Sequence, residues 1–150
     1  MEVKYHFKFE KILDVKNREK EEALSTYQRS LQAFENVAKE LYSLLKKKED
    51  LEALQAQKII SGLSVQEIRH NQHFLAEIEK SISYYQQLLI KARNRLNWNQ
   101  QQLQEKNIEV KKFEKIKDKD YQSFLQDIRT QEEKQMDEIS NLQFFRNVRS

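Results

Sequence analysis

The chain has 150 residues, 34% of them charged and 38% apolar, and carries a formal net charge of +3 from 27 basic and 24 acidic side chains. One glycine, no proline and no cysteine exclude a turn-rich globule, a glycine-rich phosphate loop, disulfides and thiolate metal sites. Eight Phe, six Tyr and one Trp are too many for a disordered polar segment. With Glu, Lys, Gln and Leu dominating, long helices with a narrow apolar seam are expected.

In chain order, the first residues alternate Val3, Tyr5, Phe7 and Phe9 with polar neighbours. No second strand is available to pair with them, so a short extended lead-in with exposed, partner-docking aromatics is expected. Helical periodicity starts near Phe9 and runs through Ile12, Leu13, Leu24, Tyr27, Leu31, Phe34, Ala38, Leu41 and Leu45. From Leu24 onward the steps alternate three and four, the signature of a coiled-coil seam. After Leu45 the apolar set moves to Leu44, Leu51 and Leu54, which predicts a seam that rotates around the helix.

The stretch Ser61-Gly62-Leu63-Ser64 holds the sole glycine. Gly62 can take the left-handed conformation that ends a helix, and Ser64-Val65-Gln66-Glu67 reads as a capping box that starts the next one. The second helix carries a seam of Ile68, Leu75, Ile78, Ile82, Tyr85, Leu89, Ala92, Leu96, Leu103, Val110 and Phe113, with Asn99 and Lys106 at two seam positions. Beyond Phe113, Tyr121, Leu125, Ile128, Ile139 and Leu142 take over. The predicted fold is all-α: two long helices in an antiparallel coiled-coil hairpin, the second longer. It forms one domain over 1–150, with helix one at about 9–60, a turn at 61–64 and helix two at about 65–145. Folding back at Gly62 sets residue i opposite roughly residue 125 − i. Helix two then overhangs by about 28 residues, roughly 40 Å at 1.5 Å per residue.

Catalytic chemistry finds no support. His70, His73 and Glu77 share a helical face, a spacing a metal could use, but there is no HExxH pattern and the tip is open to water. Asp118/Asp120 and Asp137/Glu138 have no pocket to raise a pKa. The lysines around 46–48 and 111–119 are interleaved with acids and read first as a solvated flank, second as a phosphate-binding stripe. No nucleic-acid partner, cofactor, metal or membrane insertion is expected, and no uncharged apolar run approaches the ~18 residues of a membrane span. Tyr42, Phe74, Tyr84 and Trp98 fall off the seam and read either as a docking patch or as extra packing.

Five blocks carry a resemblance over the whole chain. They are the entry Phe7-Lys8-Phe9-Glu10-Lys11-Ile12-Leu13-Asp14-Val15-Lys16, the block Phe34-Glu35-Asn36-Val37-Ala38, the tip Gly62–His70, the run Glu105–Lys115, and Met136-Asp137-Glu138-Ile139. The sequence resembles the FliJ family, small coiled-coil components of the bacterial flagellar type III export apparatus, and most of all its Bacillus-type members. The resemblance implies a non-catalytic protein similar in fold to the central stalk subunit of rotary ATP synthases. It further implies that the end with both termini enters the pore of the hexameric export ATPase, FliI, promoting its assembly and activity. Phe7, Phe9, Leu13, Tyr121, Leu125, Ile128, Asp137 and Glu138 are the candidate contacts there.

By the same resemblance, Glu40, Leu44, Lys47, Leu51, Phe74, Ile78, Ser81 and Tyr85 face the export gate, FlhA, and family members escort export chaperones. The chain departs from the aromatic character of some members at Lys47, Leu51 and Ser81. Leu44, Ile78 and Tyr85 are also at seam spacing, so either the helices splay near the tip or one assignment fails. The expected setting is cytoplasmic, peripheral to the inner face of the cell membrane at the flagellar base, as a monomer or weak homo-oligomer. The alternative is a general coiled-coil chaperone or scaffold without an ATPase partner.

Overall fold

A computed structural model describes residues 4–149. Among them are two helices, α1 (Glu10–Ser61, 52 residues) and α2 (Val65–Arg149, 85 residues), packed antiparallel. Val3, the first of the alternating apolar residues, lies outside the described residues. The termini of the helices follow local chemistry. Glu10 sits in the first turn of α1 and Lys58 in its last, each of the sign the helix dipole favours. The Glu10 N–H donates to the Phe7 carbonyl (3.2 Å) and the Leu13 N–H to the Phe9 carbonyl (3.0 Å), so a tight turn feeds the chain into α1.

Gly62 takes φ +90° between the helices, the one positive φ among the described residues. A Cβ built there meets nothing within 4 Å, so the requirement for glycine is conformational, not steric. Ser64 caps α2: the Glu67 N–H donates to Ser64 Oγ at 3.2 Å, and the Ile68 N–H donates to the Ser64 carbonyl at 3.1 Å. Only this arm of the capping box forms. The reciprocal bond from the Ser64 N–H to the Glu67 carboxylate is absent among the described residues. Gly62→Ala should lower stability by about 1 kcal/mol, the cost of holding an L-residue left-handed, read as a drop in the thermal midpoint. Gly62→Asn should lose less, because Asn tolerates this region.

Contacts divide the chain into two compact units, one of residues 1–20 and 105–150, the other of 21–104. In the second unit the side of α1 that meets α2 comprises Ala23, Tyr27, Ser30, Phe34, Val37, Leu41, Leu44, Lys48, Leu51 and Gln55, all buried or half-buried at unbroken steps of four and three. The predicted rotation after Leu45 does not occur. Lys48 stays on the seam, its ammonium 3.7 Å from the Glu79 carboxylate, where its stem covers apolar surface while the charge reaches the edge. Leu24, Leu45 and Leu54 are exposed instead. The opposing α2 seam runs Ile68, Asn71, Leu75, Ile78, Ile82, Tyr85, Leu89, Ala92, Leu96, Asn99 and Leu103. Leu41, Ile78 and Ile82 form its buried centre, with Leu44, Leu51, Tyr85 and Leu89 packed around them. Ser30 is buried but satisfied, donating to the Tyr27 carbonyl at 2.7 Å.

In the first unit, Phe7, Leu13 and Val110 form the buried cluster, covered by Tyr5, Phe9 and Phe113. Ion pairs fix its register: Lys16–Glu109 (3.1 Å), Lys106–Glu19 (3.2 Å) and Lys117–Glu10 (2.9 Å). Each pair lies within two residues of the 125 − i pairing expected from the sequence. Such half-exposed pairs contribute ~0–1 kcal/mol each, so they select alignment more than they supply stability.

Candidate functional site

The lead-in does not present its aromatics for docking, contrary to the expectation from its alternating pattern. Phe7 is 3% exposed, and the Tyr5 ring lies edge-on to Tyr121 with centroids 5.0 Å apart and tilted against Phe124 at 5.2 Å. The Tyr5 hydroxyl donates to Asp120 Oδ2 at 2.9 Å and reaches the Lys117 carbonyl at 3.4 Å. The reason is geometric. The turn before Glu10 lets residues 4–9 continue along α2 past the start of α1, and burying three rings outweighs leaving them in water.

The candidate ATPase contacts therefore fall into two sets. Phe7 and Leu13 are buried and Phe9 packs against them, so these support the surface from beneath. Leu125 and Ile128 are half-buried, while Tyr121, Asp137 and Glu138 are exposed. The unpaired stretch of α2 starts later than expected, because the lead-in covers α2 as far as Phe124. From Arg129 to Val148 no residue is even half-buried, a length of roughly 30 Å. Met136, Ile139, Leu142, Phe144, Phe145 and Val148 all lie open on this stretch.

Protonation in the first unit follows its ion pairs. The hydrogen bond from Lys106 and its charge, then the charge of Lys16, hold the Glu19 carboxyl below its ordinary range. The Glu109 carboxylate holds the Lys16 ammonium protonated to higher pH than usual. Desolvation, then the Asp120 hydrogen bond, pushes the Tyr5 hydroxyl up to about 12. The Glu19 contribution is thus present above the usual carboxylate range of about 4 and is lost as pH falls through its lowered folded value. The Tyr5 and Lys16 contributions are complete below their unfolded values near 10 and fade as pH rises through their raised ones. Amide protection factors in residues 10–20 and 105–117, corrected for the intrinsic pH dependence of exchange, should be highest near neutrality and lower at both pH 3 and pH 11. Glu19→Gln should flatten the acid arm alone, and an unchanged acid arm would contradict the assignment.

The candidate gate contacts occupy two heptad positions on each helix, the inner positions Leu44, Leu51, Ile78 and Tyr85 and the flanking positions Glu40, Lys47, Phe74 and Ser81. In an antiparallel pair these flanking positions share one edge. The structure resolves the tension between seam and surface position by position. Ile78 is 6% exposed inside the core, and Leu44, Leu51 and Tyr85 pack on it; the helices do not splay at this level. Glu40, Lys47 and Phe74 are exposed, and Ser81 is half-buried. Phe74 is 53% exposed, and Tyr84, also open, stacks edge-on to Tyr85 at 5.4 Å. Tyr42 and Trp98 are exposed as their off-seam spacing predicts.

Sequence reasoning missed one feature, the open aliphatic side chains of Ile59, Ile60 and Val65 next to the turn, with Ile60 89% exposed. Their departure from the seam phase was the available signal. His70, His73 and Glu77 are exposed, and among the described residues no three His, Cys, Asp or Glu side chains converge on a metal-sized site. No helix among the described residues is long and apolar enough to cross a membrane.

Two unequal antiparallel helices joined by a capped glycine turn define an all-α coiled-coil hairpin. The model of the Flagellar FliJ protein family matches residues 5–149. The Flagellar FliJ protein of Bacillus subtilis (strain 168) is 48% identical over 140 residues, covering 93% of this chain and 95% of that one. The chain belongs to the FliJ family, non-catalytic components of flagellar protein export. The solved structure of a YscO-like protein from Chlamydia trachomatis superposes with a TM-score of 0.66 over 93% of this chain and 94% of that one. At 16% identity that likeness speaks for the shared hairpin fold alone.

Proposed function

We propose that the chain is a stalk-like, non-catalytic export factor. It inserts the end bearing both termini into the hexameric export ATPase and turns its Glu40–Lys47–Phe74 edge to the export gate. It thereby promotes ATPase assembly and activity, couples it to export at the inner face of the membrane, and escorts export chaperones. The observation that supports this reading most is the run from Arg129 to Val148, which carries the exposed Ile139, Leu142 and Phe145 and has no covering element among the described residues. Large exposed apolar faces on a charged helix mark docking sites. The docking face is then formed by Tyr121, Ile139, Leu142 and Phe145, with Asp137 and Glu138 at its polar rim, and Phe7, Leu13 and Phe9 hold the lead-in in place behind it.

A second reading, a scaffold or chaperone without an ATPase partner, draws on the exposed Tyr42, Phe74, Tyr84 and Trp98. Capture assays with purified FliI, FlhA and a loaded export chaperone separate the two. Under the first reading, Phe74→Ala weakens capture of the gate and leaves ATPase stimulation intact, while a chain ending at Ile128 does the reverse. Equal loss of every partner with Phe74→Ala, and none with the shortened chain, would favour the scaffold.

A further inference from the structure

A separate surface lies on the outward side of α2 in the first unit. Ile108, Lys111, Lys112, Lys115, Ile116 and Lys119 follow one another at steps of three and one, which sets all six on a single helical face. All six are exposed. The ion pairs of this unit engage Lys16, Lys106 and Lys117. Among the described residues, Lys111, Lys112, Lys115 and Lys119 make no ion pair or side-chain hydrogen bond. The nearest acids on the same helix, Glu114 and Asp118, stand to one side of the stripe, and Glu109 is committed to Lys16.

A solvated coiled-coil flank normally alternates charge at spacings of three and four, because opposite neighbours stabilise a helix and like neighbours destabilise it. Here Lys111–Lys115 and Lys115–Lys119 are like pairs at i, i+4, and Lys112–Lys115 is one at i, i+3. Glu114, Glu109 and Asp118 each stand three residues from Lys111, Lys112 and Lys115 and offset part of this repulsion without forming an ion pair to them, while Lys119 has no acid at either spacing. An anionic partner relieves the rest. The two isoleucines decide which kind of anion. They stand eight residues apart within the lysine row, about 12 Å, and are too few for insertion into lipid, since the opposite face of α2 is already occupied by the core. Lysines bind phosphate only as point charges, without arginine's bidentate fork, so it is the isoleucines within the row that single out a protein partner.

We propose that this stripe binds an acidic amphipathic helix of a partner protein, laid along residues 108–119, with carboxylates against the lysines and apolar side chains against Ile108 and Ile116. The surface is distinct from both the single-helix end and the Glu40–Phe74 edge.

The test uses the full chain and a synthetic acidic amphipathic 21-residue peptide with leucines at heptad spacing. A scrambled peptide of the same composition, phosphatidylserine vesicles and a DNA duplex serve as comparators. The peptide should bind, and affinity should fall at least about tenfold between 50 and 300 mM salt, as expected for exposed charge pairs. A Lys111/Lys112/Lys115/Lys119→Gln variant should lose about tenfold or more, and Ile108→Ser with Ile116→Ser several-fold, with helicity by circular dichroism unchanged. A Lys→Glu version at the same four positions should instead bind the charge-reversed, lysine-rich peptide. Equal binding by the Gln variant overturns the site, and equal binding of the scrambled peptide overturns the helical partner. Tighter capture of vesicles or DNA through the same lysines assigns the stripe to lipid or nucleic acid and overturns the proposal.

Discussion

A chain ending at Ile128 is expected to keep its fold and lose its action on the export ATPase. Residues 129–148 hold no buried or half-buried side chain, so their removal should move the thermal midpoint by no more than about 2 °C, far less than a core change would. The same residues carry Ile139, Leu142 and Phe145, each open to solvent. Burying a side chain of this size contributes about 1.5–3 kcal/mol, so three of them account for roughly a thousandfold or more in affinity. Stimulation of ATP hydrolysis at micromolar protein should fall to the unstimulated rate. Undiminished stimulation by the shortened chain would move the ATPase contact elsewhere. Ile139→Ser with Leu142→Ser in the full-length chain should reproduce most of the loss, which separates a docking face from a mere spacer.

The second large effect concerns the two buried clusters. Only six apolar residues among those described are buried, Phe7, Leu13 and Val110 in one cluster and Leu41, Ile78 and Ile82 in the other. A seam this narrow has little redundancy. Ile82→Ala should cost about 2–5 kcal/mol and Phe7→Ala about 3–5 kcal/mol, a large share of the ~5–15 kcal/mol typical of a folded domain. The two should differ in place. Phe7→Ala should speed amide exchange around residues 10–20 and 105–117, and Ile82→Ala around 41–51 and 75–89, because the clusters share no residue. For function, Phe7→Ala tests whether the lead-in acts indirectly. It should weaken ATPase stimulation less than truncation at Ile128 does, and restoration by Phe7→Leu would mark the role as packing.

Several features were legible in the chain because local chemistry determines them. The turn needed a residue that accepts positive φ, and there is one glycine; the second helix needed an N-cap, and Ser64 stands two residues on. From that point the register followed by counting, which is why Lys16 meets Glu109 and Glu19 meets Lys106. The family was legible from ordered blocks, which compositional likeness among coiled coils does not reproduce. The candidate contacts were legible as stretches but not as side chains. Ile78 and Phe74 are one helical turn apart, yet one is core and the other surface.

By itself, then, the sequence determined two helices, their turn, their antiparallel register and the excess length of the second. Each rests on interactions within a few residues or on simple counting along the chain. The tertiary structure alone decided which flank of each helix is buried. Along α1, Leu24 and Ala23, Leu31 and Ser30, and Leu45 and Leu44 are adjacent, so two stripes with the same three-four spacing compete, rotated by about 100°. Packing chose the one with Ala23, Ser30 and Val37 between Tyr27, Phe34 and Leu41, because small residues between large ones let two helices approach and interdigitate. It also decided the fate of the lead-in. Tyr5 and Phe7 gain more by covering α2 than by waiting for a partner, and that choice sets where the single-helix end begins.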